Sequence, residues 1–299
     1  MKTLSEYLDE KGCEQKLKEL IVLITAQAAP IREAFINNQS YLDTTNESGE
    51  IQAGMDVWAD SHITGVLKAS GLVSGLASEE QEDVSTFRDS PGGYSIVMDP
   101  LDGSSLISVN LAVGTIIGIY EGVDLLQKGR EMKAALYMLY GPLTVLTITT
   151  GNGVAIFNLD GDGVFRLSED NVRMPEGKLY GSGGLKPEWV DYHSKLISYL
   201  EDQGCKLRYT GSFVADFHQI LKYGGVYCYP ELTGKPQGKL RLLFEGNPIG
   251  FIAVQAGGAI SNGRENMLDI RPEKIHQRTP IYVGSRWIIE KVEEYSKSA

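Results

Sequence analysis

The sequence predicts a mixed α/β or α+β fold built from layers of helices and strands. Helical spacing dominates the first third of the chain, strand-like runs follow it, and helices and strands alternate in the second half. With 299 residues, the chain is long enough for about two domains and for a hydrophobic core that needs no disulfide bonds. Mixed elements in a chain of this size favour layered packing around such a core.

The first third is expected to be mainly helical. Apolar residues recur at helical spacing over residues 15–36 and again over residues 56–70. Pro30 should end or kink the first of these helices, because proline lacks the N–H donor that a helix needs. Residues 46–54 are polar and contain glycine, so they are predicted to form a loop.

The middle of the chain is predicted to form a β-sheet. Strand-like runs cover residues 71–76, 93–98, 113–120 and 134–150, and a hairpin pattern covers residues 154–165. The turn of that hairpin contains Asp160 and Asp162, each followed by glycine. The further ligands of a calcium-binding EF-hand loop are absent, so a tight turn is the preferred interpretation.

A domain boundary is predicted near Pro175, within the polar segment 169–177. We therefore expect domains at residues 1–175 and 176–299. The second half should contain helices at 188–203 and 216–223, strands at 226–229 and 239–244, an apolar run at 249–256, and a final helix from Ser285 toward Lys297.

Charge and cysteine usage narrow the class of protein. The formal net charge of −11 argues against nucleic acid as a partner, because the phosphate backbone attracts Lys and Arg. Cys13, Cys205 and Cys228 form no CxxC pair, which suits a reducing compartment and predicts neither a disulfide framework nor a zinc site.

The apolar run at residues 20–25 is followed by Ala-Gln-Ala, which resembles a signal-peptide cleavage site. The preceding segment is acidic, whereas a secretory signal begins with a short basic region. The run is also far shorter than the roughly 20 residues that span a bilayer. We therefore expect an amphipathic helix, no membrane partner and a cytoplasmic protein.

The segment Asp99-Pro-Leu-Asp102-Gly-Ser-Ser105 is the strongest local signal for chemistry. Two aspartates three residues apart can hold hard divalent cations through oxygen. The Gly-Ser-Ser segment that follows can receive a phosphate on its backbone N–H groups if it opens a helix. The alternative is an Asx-type turn capped by a serine.

Other charged residues could complete such a site. Acidic residues cluster at Glu50 and Asp56, at Glu79 and Glu80, and at Glu245, although an adjacent Glu pair is often only a solvated surface feature. Divalent-metal phosphatases need several carboxylates and a base for the attacking water. Alternation over residues 239–244 would place Lys239 and Arg241 on one strand face, as a phosphate clamp or as protective charge on an exposed edge strand.

Several motifs together resemble class I fructose-1,6-bisphosphatases, and sedoheptulose-1,7-bisphosphatases look similar. The motifs are the segment 99–105, Val113-Gly-Thr-Ile116, Arg208-Tyr209, Lys239-Leu-Arg-Leu-Leu-Phe-Glu245 and Ile275-His-Gln-Arg278. The resemblance covers nearly the whole chain. It implies the sugar-phosphatase fold, a layered α-β-α-β-α sandwich with two subdomains. The first would carry the metal site and the second would bind the sugar phosphate.

The resemblance also implies Mg²⁺-dependent removal of the sugar 1-phosphate by direct attack of water. About two or three Mg²⁺ ions per subunit are expected, with Mn²⁺ or Zn²⁺ as substitutes. The implied metal ligands are Glu79, Asp99, the carbonyl of Leu101, Asp102 and Glu245. The implied catalytic residues are Glu80, Asp56, the loop acid Glu50 and Arg241. Glu80 and Asp56 would orient and deprotonate the water.

The remaining implied residues bind the substrate, a sugar bisphosphate. Those for the 1-phosphate are Asp102, Gly103, Ser104 and Ser105, and those for the distal phosphate are Tyr209, Tyr229 and Lys239, with Arg241 over the reacting centre. Arg208 would reach the active site of a neighbouring subunit. The resemblance therefore implies a homo-oligomer, a dimer or a tetramer.

The chain departs from the family pattern in two regions. An Asn and a Tyr that help to bind the sugar phosphate have no clear match near Gly183 and Lys186, so sedoheptulose 1,7-bisphosphate is an alternative substrate. Gly93 and Glu121 stand where the AMP site carries basic residues, although Tyr94 remains, so we expect little inhibition by AMP. An inositol-phosphate phosphatase and a non-catalytic sugar-phosphate-binding regulator are further alternatives.

Overall fold

The computed structural model describes residues 1–38, 41–45, 51–87 and 93–298, with the backbone alone for 41–45 and 51–53. The chain forms two compact units. The first unit comprises Met1–Leu125 and Met132–Val172, and the second comprises Leu126–Glu131 and Arg173–Ala299. Leu126–Glu131, which the sequence assigned to the first domain, belongs to the second unit, and the domain limits 1–175 and 176–299 stay a prediction. Which unit carries which part of the chemistry stays a prediction.

The first unit combines four helices with ten strands among its described residues. Its helices are α1 Leu4–Glu10, α2 Gln15–Thr25, α3 Ala28–Ala34 and α4 Gly54–Ser70. Its strands are β1 Tyr41–Thr45, β2 Ile51–Ala53, β3 Val73–Ser78, β4 Ser85–Thr86, β5 Tyr94–Asp102, β6 Val113–Glu121, β7 Ala134–Tyr140, β8 Thr144–Thr149, β9 Ala155–Leu159 and β10 Phe165–Glu169. A 3₁₀ helix, Ser104–Val109, follows β5.

Eight of these strands form one sheet in the order β10-β9-β8-β7-β6-β5-β3-β4. All neighbours are antiparallel except β3 and β5, which run parallel. The apolar sides of the four helices pack with sheet residues into one core, in which Leu20, Ile63, Ile96 and Phe157 are almost inaccessible to solvent. Burial of this apolar surface is what holds the helices on the sheet.

The second unit is built on a five-stranded sheet. Its strands are β11 Leu179–Ser182, β12 Lys206–Leu207, β13 Val226–Tyr229, β14 Ala259–Ser261 and β15 Ile281–Gly284, in the order β12-β11-β13-β15-β14. Its helices are α5 Asp191–Asp202, α6 Phe213–Tyr223, α7 Asn247–Gln255 and α8 Arg286–Lys297. A π-helical turn, Leu242–Gly246, leads into α7. Buried residues of α5 and α8 share one core with the sheet.

The mixed α/β class is confirmed, whereas several element predictions were wrong. The predicted helix over 15–36 breaks at residues 26–27 rather than at Pro30, which lies in the first turn of α3. The first turn tolerates proline because its N–H groups have no helical partner. The predicted loop at 46–54 contains β2, and the run at 134–150 is two strands joined by a turn at Gly141-Pro142.

The strand predicted at residues 239–244 does not form. Arg241 makes an isolated bridge to Arg278, and the chain then enters the π-helical turn. Lys239 is exposed whereas Arg241 is buried, so the two cations do not share a strand face. The apolar run at 249–256 belongs to α7 rather than to a strand.

The hairpin turn at Asp160 is confirmed. The Asp160 carboxylate accepts hydrogen bonds from the N–H groups of Asp162 and Val164, each at 2.9 Å, and from Nε of Arg166 at 2.8 Å. These bonds occupy the oxygens that a calcium loop would offer to the ion. Among the described residues, no helix is long and apolar enough to span a bilayer.

Candidate active site

Parallel pairing of β3 and β5 brings two acidic segments to one edge of the large sheet. Ser78 at the end of β3 pairs with Met98 of β5, and the N–H of Glu79 donates to the Met98 carbonyl at 3.0 Å. Because parallel strands end at the same edge, the residues that follow β3 lie next to the last residues of β5. A carboxylate oxygen of Glu79 and one of Asp99 lie within 4.8 Å of each other.

An irregularity in β5 shapes the Asp99–Asp102 turn. Asp99 pairs with Ile116 of β6, but Asp102 pairs with Gly114, so three steps along β5 match two along β6. Such a bulge turns side chains out of the regular alternation, and it accommodates Pro100, which has no N–H for the ladder. The Asp99 carboxylate accepts the N–H of Leu101 at 2.9 Å, and Thr115 donates to the Pro100 carbonyl at 2.9 Å.

Gly103 and the two serines form the turn that leaves β5. Gly103 has a φ of 83°, in the left-handed region that suits glycine, and Ser104 begins the 3₁₀ helix. Ser104 Oγ donates to Asp56 Oδ2 at 2.9 Å, which joins this turn to the first turn of α4. Asp56 is buried, Ser104 is half-buried and Ser105 is exposed.

A second buried aspartate was missed by sequence reasoning. Asp60 lies one helical turn after Asp56 and is only 9% exposed. Its two carboxylate oxygens accept from the side-chain amide of Gln81 at 3.1 and 3.0 Å. Burial raises the pKa of Asp60, and hydrogen bonds from Ser78 and Gln81 oppose the rise. The four-residue spacing from Asp56, which places both on one helix face, is the signal that could have found it.

In the second unit, the π-helical turn fixes Glu245. The N–H of Arg241 donates to Oε2 of Glu245 at 2.6 Å, and both side chains are buried. The N–H of Leu242 donates to the Gln277 carbonyl at 2.8 Å, which ties the start of the turn to the segment 275–278. Glu245 and Arg241 are thus neighbours across one turn rather than along a strand.

The second unit also brings two predicted phosphate-binding tyrosines together at Gly183. A Cβ on Gly183 would lie 2.4 Å from Cδ2 of Tyr229 and 3.1 Å from the hydroxyl of Tyr209. No side chain larger than hydrogen therefore fits between the two rings as they stand. Arg208 is exposed and places its guanidinium 5.8 Å from the ring centroid of Tyr223. Glu50, the predicted loop acid, lies outside the described residues.

Comparison with known proteins gives the family. The family model described as "Fructose-1-6-bisphosphatase, N-terminal domain" matches residues 5–170, and "Fructose-1-6-bisphosphatase, C-terminal domain" matches residues 174–297. The chain is 60% identical over 293 residues to the class 1 fructose-1,6-bisphosphatase of Methanocorpusculum labreanum, covering 98% of this chain and 91% of that protein. It is 55% identical to that of Methanospirillum hungatei, covering 99% and 95%.

Comparison of the fold with solved structures indicates the same family. The structure is similar to the crystal structure of Leishmania major fructose-1,6-bisphosphatase in holo form, with a TM-score of 0.93, 30% identity and 99% of each chain covered. The layered fold expected from the sequence is thereby confirmed. Sequence and structure agree over the full length of both units, and the chain belongs to the class I fructose-1,6-bisphosphatase family.

Proposed function

We propose that this protein hydrolyses the 1-phosphate of fructose 1,6-bisphosphate, which yields fructose 6-phosphate and inorganic phosphate. The pair of carboxylates on Glu79 and Asp99, with oxygens within 4.8 Å, is the observation that carries the proposal. Relatives at 60% and 55% identity bear the name of this activity. The balanced reaction is attack of water on phosphorus, cleavage of the bond to the sugar oxygen, and transfer of a proton to that oxygen.

The acidic residues of the first unit have the chemistry for a divalent metal. Two carboxylates this close repel each other, and a cation offsets that repulsion. Their oxygen donors suit Mg²⁺. Proposed ligands are Glu79, Asp99, the Leu101 carbonyl and Asp102, with Glu245 of the second unit as a further ligand. When bound, Mg²⁺ would neutralise phosphate charge and lower the pKa of a coordinated water.

The chain's own residues would orient the reactants. The N–H groups of Gly103 and Ser104, with the side chain of Ser105, would bind the 1-phosphate. Glu80 and Asp56 would take the proton from the attacking water, and the 2.9 Å bond from Ser104 fixes one carboxylate oxygen of Asp56. Phosphoryl transfer of this kind depends on positioning and charge stabilisation more than on covalent chemistry.

Residues of the second unit would bind the distal end of the substrate. Tyr209, Tyr229 and Lys239 are proposed for the distal phosphate, and Arg241 for the reacting centre. The approach of both tyrosine rings to Gly183 supports a common subsite. Gly183 and Lys186 differ from the family pattern, and this difference keeps sedoheptulose 1,7-bisphosphate as a second candidate substrate.

The test is phosphate release with Mg²⁺ from fructose 1,6-bisphosphate, sedoheptulose 1,7-bisphosphate and inositol 1-phosphate, measured side by side. We expect the highest kcat/KM with fructose 1,6-bisphosphate, no turnover after chelation with EDTA, and recovery on adding Mg²⁺. Asp102→Ala should abolish turnover, whereas Asp83→Ala, at an exposed position, should retain it. Preference for another substrate, or full activity in EDTA, would contradict the proposal.

We also propose that AMP does not inhibit the enzyme. A cleft of about 320 Å³ in the first unit is lined by Glu14, Tyr94, Glu121 and Lys133, among others. The Glu14 carboxylate accepts the N–H groups of Lys16 and Leu17 at the start of α2, and the hydroxyl of Tyr94 at 2.7 Å. These donors are therefore occupied, and Glu121 adds a second negative charge.

A phosphate entering this cleft would meet the carboxylates of Glu14 and Glu121, and the two lysines that line it are already paired, Lys133 with Glu121 at 2.8 Å and Lys11 with Asp170 at 3.2 Å. We expect kcat and KM to stay constant up to millimolar AMP. Inhibition at micromolar AMP, in an assay that follows fructose 6-phosphate directly, would refute this proposal.

Finally, we propose that the protein is a cytoplasmic homo-oligomer. Leu207 and Tyr223, 58% and 61% exposed, flank Arg208 and support a contact with a second copy. Light scattering on the purified chain should give the mass of a dimer or tetramer, and a stable monomer would count against it.

A further inference from the structure

We propose that Asp60 is a positioning residue for the reaction, and that it fixes Glu80 relative to Asp56 through Ser78 and Gln81. The inference rests on the proposed function, because Glu80 and Asp56 are the groups proposed to deprotonate the attacking water. Asp60 itself is not assigned any contact with substrate or metal.

The first contact passes through Ser78, the last residue of β3. The Ser78 hydroxyl donates to the Asp60 carboxylate. The same oxygen accepts the backbone N–H of Glu80 at 3.3 Å. Asp60 therefore sets the direction of the Ser78 hydroxyl, and that hydroxyl holds the peptide N–H of Glu80.

The second contact passes through Gln81, the residue after Glu80. Its amide nitrogen donates to both Asp60 oxygens at 3.1 and 3.0 Å and lies 3.0 Å from Oγ1 of Thr64. Its amide oxygen accepts from Ser85 Oγ at 2.8 Å. The Glu79–Glu80 turn is thus attached on both sides to one carboxylate.

Helix geometry connects this attachment to Asp56. Asp56 and Asp60 are four residues apart on α4, so their side chains lie one above the other on the same face. Both are buried, and α4 runs without a break between them. The distance between the two proposed proton acceptors is therefore set by Asp60, from within the first unit.

Hydrogen-bond complementarity allows a sharp test. Asp60→Asn presents an amide NH₂ to the amide NH₂ of Gln81, so at least one buried bond is lost. Gln81→Glu places a second carboxylate, at a half-buried position, against the buried carboxylate of Asp60, and the two repel each other. The double variant Asp60→Asn/Gln81→Glu restores one amide opposite one carboxylate, with the roles exchanged. The hydroxyls of Ser78, Thr64 and Ser85 can rotate to satisfy the new pair.

The experiment measures kcat and KM for fructose 1,6-bisphosphate at saturating Mg²⁺, together with the thermal midpoint of each variant. We expect each single variant to lose roughly 10-fold in kcat with less than about 3-fold change in KM, and the double variant to return to within about 3-fold of wild type. The matched pair Asp202→Asn and Gln203→Glu, both exposed at the end of α5, should leave kcat unchanged.

Each outcome decides the inference. Rescue of kcat by the double variant supports it where the thermal midpoints of the single variants stay above the assay temperature, because their loss of kcat then comes from the altered contacts and not from unfolding. Wild-type kcat in the single variants overturns it, as does an unrescued double variant that keeps a wild-type thermal midpoint. The inference is also overturned if the thermal midpoint falls along with kcat in all three variants. Failure of the proposed function is distinct, because the wild-type chain itself would then release no phosphate.

Discussion

At the scale of single residues, Ser104 joins two proposed roles. Its backbone N–H is proposed to bind the 1-phosphate, and its hydroxyl donates to Asp56 at 2.9 Å. The bond crosses 48 residues of sequence. Asp56 is 8% exposed, so the hydroxyl also compensates part of the cost of burying that carboxylate.

We therefore expect Ser104→Ala to lower kcat roughly 10-fold, which corresponds to about 1.4 kcal/mol for one hydrogen bond to a charged group. KM should change little, because the backbone N–H groups of the turn remain. Steady-state kinetics measure both quantities. Ser108→Ala is the control, because Ser108 is exposed on the same 3₁₀ helix and is proposed neither to contact Asp56 nor to bind the substrate. Equal kcat in the two variants would show that the Ser104 hydroxyl does not orient Asp56.

The motif 99–105 could be proposed as a metal and phosphate site from the sequence, because its chemistry is local, and the roles of its residues stay predictions. The contributions of Asp60, Ser78 and Gln81 could not be predicted in the same way. The spacing of Asp60 from Asp56 indicates a shared helix face, but Ser78 and Gln81 carry no distinctive spacing, and their contacts with Asp60 depend on the packing of α4 against β3. Helical periodicity alone would have placed Asp60 on the face of Asp56, but not against Gln81.

At the scale of elements, residues 239–245 show the limit of periodicity. The pattern Lys-Leu-Arg-Leu-Leu-Phe alternates like a strand, yet Leu242–Gly246 is a π-helical turn. Two bonds decide the outcome: Leu242 N–H to the Gln277 carbonyl, and Arg241 N–H to the Glu245 carboxylate. The first is long-range, so a short alternating run cannot reveal it. By contrast, α4 and β13 were predicted well because their patterns are long or strongly apolar.

The junction between residues 208–211 and α6 is a second feature at this scale, and it holds a residue of the proposed substrate site. The Asp216 carboxylate is 2% exposed and accepts the N–H of Thr210 at 2.9 and 3.0 Å and that of Gly211 at 3.3 Å. Ser212 caps the start of the helix. These bonds hold the chain that presents Tyr209.

We expect Asp216→Ala to lower the free energy of unfolding by about 1–3 kcal/mol, because two N–H groups lose their buried acceptor. KM for the bisphosphate should rise several-fold through displacement of Tyr209, and kcat should change less. Urea denaturation and steady-state kinetics measure the two effects. Asp202→Ala, exposed at the C-terminal end of α5, is the control and should change neither. A destabilised Asp216→Ala variant with wild-type KM would show that this junction stabilises the fold but does not affect substrate binding.

At the scale of the whole molecule, the fold class could be predicted from the sequence, whereas the roles of the site residues stay predictions. The convergence of Glu79 on Asp99 could not, because it depends on one parallel pair, β3 and β5, in an otherwise antiparallel sheet. No local pattern distinguishes parallel from antiparallel pairing in short buried strands. The family resemblance supplied what periodicity lacked, and the similarity of the fold to a known member supports it.

The stability of the molecule should depend on pH through a buried histidine. His193 of α5 is fully buried, with Nε2 2.9 Å from Ser182 Oγ and Nδ1 3.1 Å from the hydroxyl of Tyr282. Burial lowers the pKa of His193 from 6.5 to about 3. The folded chain therefore keeps this ring neutral in a range where the unfolded chain would protonate it.

The sign of the effect follows from proton linkage. Above pH 6.5 neither state binds the proton, so the contribution of His193 to stability is fully present and constant. Between pH 6.5 and about 3 only the unfolded state binds it, so each unit of acidification costs up to about 1.4 kcal/mol. The free energy of unfolding, measured in urea at intervals from pH 7.5 to 4.5, should fall less steeply for His193→Gln than for wild type. Because the other titrating groups are common to both chains, the difference in slope isolates His193, and parallel pH profiles would show that the folded chain protonates this ring as readily as the unfolded chain does.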